Sequence, residues 1–141
     1  NLSIVELEFL LYLTSMTHLL LVALGGAIGA SLRHLSGLAF LRFMGPAFPW
    51  GTMFVNIVGS LAMGFLIGWL SKRTGTSNEV RLFLATGLLG GFTTFSAFSL
   101  DVANLWQRGE VVTAFGYVLA SVVFSISAVF VGLWMTRALA S

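Results

Sequence analysis

Gly90-Gly91-Phe92-Thr93-Thr94-Phe95-Ser96-Ala97-Phe98 stands in the middle of an apolar run that extends from about Val80 to Trp106. The run can cross a bilayer, which takes roughly 20 mostly apolar residues in a helix. Its centre is nevertheless a poor helix. Each glycine costs about 1 kcal/mol against alanine in a helix interior. The hydroxyls of Thr93, Thr94 and Ser96 can in turn satisfy backbone groups that a break releases. The stretch therefore predicts a membrane helix unwound at mid-depth. Non-helical backbone survives there only where protein or water surrounds it, at a subunit interface or along a pore. Carbonyls exposed by such a break suit a hard cation such as sodium. Glycines that only let helices pack closely are the competing explanation.

Three further spans lie around this one. The first reads as Thr17 to Leu41, with Gly25, Gly26 and Gly29 followed by Arg33 and His34. Gly45, Pro46 and Pro49 then punctuate the connection to a second span, Trp50 to Leu70, whose terminal tryptophans Trp50 and Trp69 suit the two membrane interfaces. Lys72 and Arg73 stop it, and a polar loop, Thr74 to Glu79, leads into the third. Residues Gln107 to Glu110 connect to a fourth span, Val111 to Thr136, closed by Arg137. Residues 1–15 are apolar but carry Glu6 and Glu8, and Met16 is available as a start codon, so they read as an extension upstream of a single four-span domain, 16–141. A basic n-region and a clear cleavage site, the marks of a signal peptide, are missing from this end.

Composition agrees with lipid as the solvent. Of 141 residues, 57% are hydrophobic and 9% charged, against about 25% charged in a soluble domain. No basic run exists that could grip nucleic acid or anionic lipid, and the absence of cysteine removes disulfides and thiolate metal sites. Basic residues near helix ends normally fix orientation by their cytoplasmic excess. Here Lys72, Arg73, Arg81 and Arg137 fall on one side and Arg33, Arg42 and Arg108 on the other. That near balance permits insertion in either orientation, and equally a single topology set by one charge. The spans do not repeat one another, so any inverted symmetry must come from two chains.

Within the spans, neutral polar groups outnumber charges. Only Arg33 and Asp101 fall inside, both toward the ends, where a long basic side chain can snorkel to water. Asn56 lies about a turn and a half into the second span; its two amide donors could hold an anion or bond a neighbouring helix. Ser60, Gly64 and Gly68 recur every four residues and read as a packing face. Tyr117, Ser121 and Ser125, with Thr113 one turn earlier, form one stripe of hydroxyls on the fourth span. Such a stripe can replace water around an anion, although a lone serine more often bonds back to its own helix. Phe95 and Phe98 share a face if helix resumes after the break, and a phenyl ring edge is positive.

The pattern resembles the Fluc (CrcB) family of bacterial fluoride channels over everything from Met16 onward. Gly90 to Phe98 is similar to that family's GGxTTFSTF signature, with Ala97 in place of the usual threonine. The GTxxVN pattern ending at Asn56 and the GGxxGxxxR pattern ending at Arg33 support it. The resemblance implies an all-α membrane protein of four helices per subunit, the third broken, assembled as an antiparallel, dual-topology homodimer in the bacterial cytoplasmic membrane. It also implies passive fluoride export through two pores and a structural Na+ at the dimer interface. Gly90 and Thr93 would then give carbonyls to sodium. Asn56, Thr94, Phe95, Ser96, Phe98, Tyr117, Ser121 and Ser125 would line the fluoride pathway, and Arg33 would stand at the vestibule.

Two other readings compete. A small dual-topology multidrug exporter driven by protons needs a glutamate at mid-membrane, and the first span from Thr17 onward has none. A non-transporting membrane subunit, whose glycine faces only pack helices, predicts dimerisation without ion flux. Enzyme chemistry lacks a convergent set of acid, base, nucleophile or metal ligands; His18 and His34 read as interfacial.

Overall fold

The computed structural model describes residues 3–73, 75 and 77–139. These build five helices that make four candidate membrane spans. Helix α1 is Ile4–Met44 and α2 is Trp50–Leu70. Helix α3 covers 78–92, with its central stretch Leu82–Leu89 wound as a π-helix, and α4 is Phe95–Gln107. Helix α5 is Val111–Ala138.

The second span begins and ends where the sequence places it, and the fourth runs two residues further. The first departs from expectation: helix continues without interruption back to Ile4. Ser3 starts it with a capping box, its hydroxyl accepting from the Glu6 N–H while the Glu6 carboxylate accepts from the Ser3 N–H at 2.8 Å. At 1.5 Å per residue the helix is about 60 Å long, about twice a bilayer's hydrocarbon thickness. Of the loop expected at Thr74 to Glu79, Thr74 and Thr76 lie outside the described residues, and helix has already resumed at Asn78.

Small residues decide which helices touch. Gly64 and Gly68 of α2 let its backbone meet α5 at Val129 and Thr136, and Gly132 of α5 answers against Leu61 and Phe65. This is the packing face expected from the four-residue spacing, as far as Gly64 and Gly68 go; Ser60, expected with them, lines a groove beside Asn56. On the other side, Gly25 and Gly29 of α1 meet the backbone of α3 at Phe83 and Leu88. A Cβ on Gly91 would stand 2.6 Å from the Gly26 carbonyl oxygen. The break after α3 divides the third span between two partners: α3 packs on α1, and α4 packs on α5.

Side chains tie the ends. Arg108 donates from Nη2 to the Ala47 carbonyl at 3.0 Å and pairs with Glu110 at 3.1 Å. At the opposite end Lys72 donates to the Thr136 carbonyl. The two groups of basic residues thus sit at opposite ends, apart from Arg33, which belongs to the middle of the molecule.

Candidate functional site

The break in the third span is confined to two residues. Thr93 (φ −84°, ψ 158°) and Thr94 (φ −155°, ψ 120°) are extended, while Gly90, Gly91 and Phe92 remain helical. The glycines, expected to be the weak point, therefore serve the close approach to α1, and the threonines carry the interruption. Their chemistry suits it. Thr93 Oγ1 donates to the Leu89 carbonyl at 3.0 Å. Thr94 caps α4, its Oγ1 accepting from the Ala97 N–H at 3.1 Å and lying 3.2 Å from Ser96 Oγ. Of the three hydroxyls expected to re-satisfy released backbone groups, Thr94 does so, at the Ala97 N–H; the Leu89 carbonyl that Thr93 bonds already accepts the Thr93 N–H.

Two side chains from other helices hold the break open. Asn56 of α2 reads the Thr94 peptide on both edges: Nδ2 donates to the Thr94 carbonyl at 3.0 Å, and Oδ1 accepts from the Thr94 N–H at 2.8 Å. One of its two amide protons is therefore committed to architecture. Arg33 of α1 donates from Nε to the Gly91 carbonyl at 3.1 Å. It does not snorkel toward a helix end. It anchors the last turn of α3, where a helix terminus leaves carbonyls without intrahelical partners.

Beside the Asn56 clamp runs a groove of about 360 Å³ between α2, α4 and α5, lined among others by Asn56, Thr94, Phe95, Phe98, Ser121 and Ser125. Six of the eight residues expected on an anion path thus meet on one surface. No charged side chain lines it. The Phe95 and Phe98 rings are 5.5 Å apart and tilted, with Phe98 8% exposed and Phe95 79% exposed. Ser121 is 5% exposed. Its hydroxyl lies near that of Tyr117 but meets no partner at hydrogen-bonding geometry. A buried hydroxyl left this way costs about 1–3 kcal/mol, and in a native fold it calls for an explanation such as a ligand.

The remaining two expected residues stand apart. Ser96 faces outward on α4 next to Thr94. Tyr117 is fully buried and does not line the groove; its ring packs on Phe98 at 5.3 Å and edge-on to Phe48 at 5.4 Å. Its hydroxyl donates to Asp101 Oδ2 at 3.2 Å. Sequence reasoning missed this pairing, although it had singled out Asp101 as a charge inside the third span. On the far side of the clamp, Arg33, His34, Thr52, Thr94 and Ala97 border a second cavity of about 260 Å³. His34, exposed on α1, is one of the residues that border this cavity. Ala97, where a threonine was the usual residue, adds no hydroxyl to this cavity.

A family profile described as CrcB-like protein, Camphor Resistance (CrcB), matches residues 20–133. A protein of Mesorhizobium japonicum named fluoride-specific ion channel FluC is 62% identical over 124 residues, 88% of this chain and 99% of that one. A namesake in Hyphomonas neptunium is 62% identical over 123 residues, 86% of this chain and 97% of its own. One in Rhizobium meliloti is 52% identical over 124 residues, again 88% of this chain and 99% of the relative.

Proposed function

The chain belongs to the CrcB-like protein family, and from that premise we propose that it conducts fluoride through pores that two antiparallel copies complete. It is a multi-pass membrane protein and a fluoride channel, not an enzyme. The observation that carries the mechanism is the uncharged groove in which the buried Ser121 hydroxyl lacks a partner. Fluoride is small and strongly hydrated, so a pore must replace its water with donors and still let it leave. Ser121 and Ser125 offer hydroxyls, and the second amide proton of Asn56 offers another. The positive edges of Phe95 and Phe98 add a weak attraction without a fixed charge that would trap the ion.

Dimerisation is supported by what one copy leaves open. Phe95 is 79% exposed, and Ser96 and Ser99 beside it are exposed on the same span. Polar groups and one wall of a pore facing lipid would be costly, and a second copy laid across the break covers both. A dual-topology pair, inserted in the cytoplasmic membrane, would give two oppositely directed paths. Sodium on the pair's axis fits the same break: Gly90 is exposed, and the extended Thr93 turns its carbonyl away from the helix. When bound, the ion would supply positive charge at the break, with the Gly90 and Thr93 carbonyls as the groups to hold it. Neutral carbonyl oxygens are suitable donors for it. Arg33 then acts as a structural anchor at the edge of the vestibule.

The test is fluoride efflux from liposomes carrying the purified protein, with chloride in parallel and valinomycin passing the compensating potassium. Rapid fluoride loss with little chloride loss is expected. Equal loss of both anions, or none from well-folded protein, would overturn the proposal.

A further inference from the structure

Asp101 is a half-buried carboxylate without a cation. Its Oδ2 accepts from the Tyr117 hydroxyl at 3.2 Å, and among the described residues it pairs with no basic side chain. It lines a cavity of about 320 Å³ at the Arg108 end of the molecule, between the close of α1, the start of α2 and the last turns of α4. Arg108 borders the same space, but its guanidinium is committed: Nε pairs with Glu110 at 3.1 Å and Nη2 donates to the Ala47 carbonyl at 3.0 Å. Two carboxylates against one guanidinium leave negative charge in excess here, and Arg42, in the last turn of α1, does not line the cavity. A carboxylate drawn partly out of water with no counter-charge is costly. A cation seated in the cavity would relieve that cost.

We propose that this cavity binds a primary ammonium ion carried on a small aromatic or aliphatic body. An ammonium group brings three N–H donors and no acceptor. Asp101 keeps its second carboxylate oxygen for one of them, while Asn104, one turn along α4, and Thr52 of α2 add an amide and a hydroxyl. The Asp101 and Thr52 side chains both lie near the Tyr117 hydroxyl, which places them on one side of the cavity. Phe40, Phe48 and Trp50 also line it, and the Phe48 and Trp50 rings stand 4.5 Å apart and tilted. Aromatic rings attract organic cations and cover a hydrocarbon body. A bare metal ion fits less well, because it needs oxygen ligands on most sides and the aromatic wall supplies none. The cavity shares no lining residue with the groove beside Asn56, so the assignment is independent of what that groove conducts.

The test is isothermal titration calorimetry of the full-length protein in detergent micelles, with protein-free micelles subtracted. Phenethylammonium, phenethyl alcohol and phenylacetate form a series that changes charge at nearly constant shape. Wild type should bind phenethylammonium roughly tenfold or more tightly than the alcohol, the worth of a charge-assisted hydrogen bond, and should not bind phenylacetate. Asp101→Asn, which keeps an oxygen for the Tyr117 hydroxyl, should bring phenethylammonium down to the affinity of the alcohol. Trp50→Leu should weaken it roughly threefold. Glu79→Gln, which removes a carboxylate at the opposite end, should leave it unchanged. Equal affinity of wild type for the ammonium and the alcohol, or no binding of the ammonium, would overturn the proposal. Undiminished binding by folded Asp101→Asn would overturn it as well. The wild-type charge series carries the test if Asp101→Asn does not fold.

Discussion

Asn56→Asp separates the two tasks assigned to Asn56. The carboxylate still accepts from the Thr94 N–H, where Oδ1 now sits at 2.8 Å, but it cannot donate to the Thr94 carbonyl across the 3.0 Å contact of Nδ2. Losing that donor next to a partly buried carbonyl costs about 1–3 kcal/mol of stability. The larger effect falls on the anion. Two unit negative charges at a separation of about 5 Å, in an effective dielectric of about 20, repel by about 3 kcal/mol. At 1.4 kcal/mol per decade that slows fluoride entry on the order of 100-fold. Asn56→Ala supplies the control, since it loses both ties to Thr94 yet adds no charge. Liposome efflux at neutral pH should therefore rank wild type above Asn56→Ala and Asn56→Ala above Asn56→Asp, with the elution profile confirming folded protein. A rate for Asn56→Asp within about threefold of wild type would refute the reasoning: repulsion of that size cannot be hidden if the ion passes the amide.

Ser121→Ala removes a buried hydroxyl that has no partner, so thermal stability should hold or rise while fluoride efflux slows roughly tenfold, about the worth of one hydrogen bond to an anion; a drop in melting temperature with unchanged efflux would make Ser121 structural. Arg33→Gln removes the charge-assisted bond to the Gly91 carbonyl and should cost about 1.5–3 kcal/mol in a thermal melt. Its efflux should keep the wild-type dependence on ionic strength if the arginine anchors the break, and lose it if the arginine attracts the anion. Gly64→Val puts a branched side chain against the backbone of Val129 and should overpack the α2–α5 seam by about 1–3 kcal/mol, read as aggregated protein on size exclusion; a normal elution and melt would show that the seam can spread.

Period and length made the four spans legible, because a bilayer demands about 20 apolar residues whatever their partners. The break was legible for a different reason: a glycine pair followed by three hydroxyls within four residues is weak helix with its own replacement donors. Which residues would unwind was not. Propensity points to Gly90 and Gly91, yet the contact with Gly26 requires a helical backbone of small residues at Gly91, so tertiary packing overrides propensity and the interruption moves to Thr93 and Thr94. The π-helical stretch Leu82–Leu89 leaves no mark in composition, since it depends on how α3 settles against α1. Continuation of α1 back to Ile4 follows from the Ser3–Glu6 capping box, a signal visible in the sequence as a serine followed three residues later by glutamate.

The partners of Asn56, Arg33 and Tyr117 required coordinates, and they bear on how an uncharged pore can be selective. Each of these side chains spends its most available polar group on the protein: Asn56 on Thr94, Arg33 on Gly91, Tyr117 on Asp101. In the proposed pathway, what remains for an ion is a second amide proton and the hydroxyls of Ser121 and Ser125, carried on helices that close glycine contacts pack together. A rigid, sparse set of neutral donors favours the anion whose hydration it can replace at that spacing. A larger anion must either give up water without replacement or push apart α2 and α5, where Gly64 and Gly132 already bring the two backbones together. Selectivity in this reading resides in the stiffness of the seams as much as in the groove, and substitutions that loosen the α2–α5 contact without touching the groove should raise chloride efflux relative to fluoride.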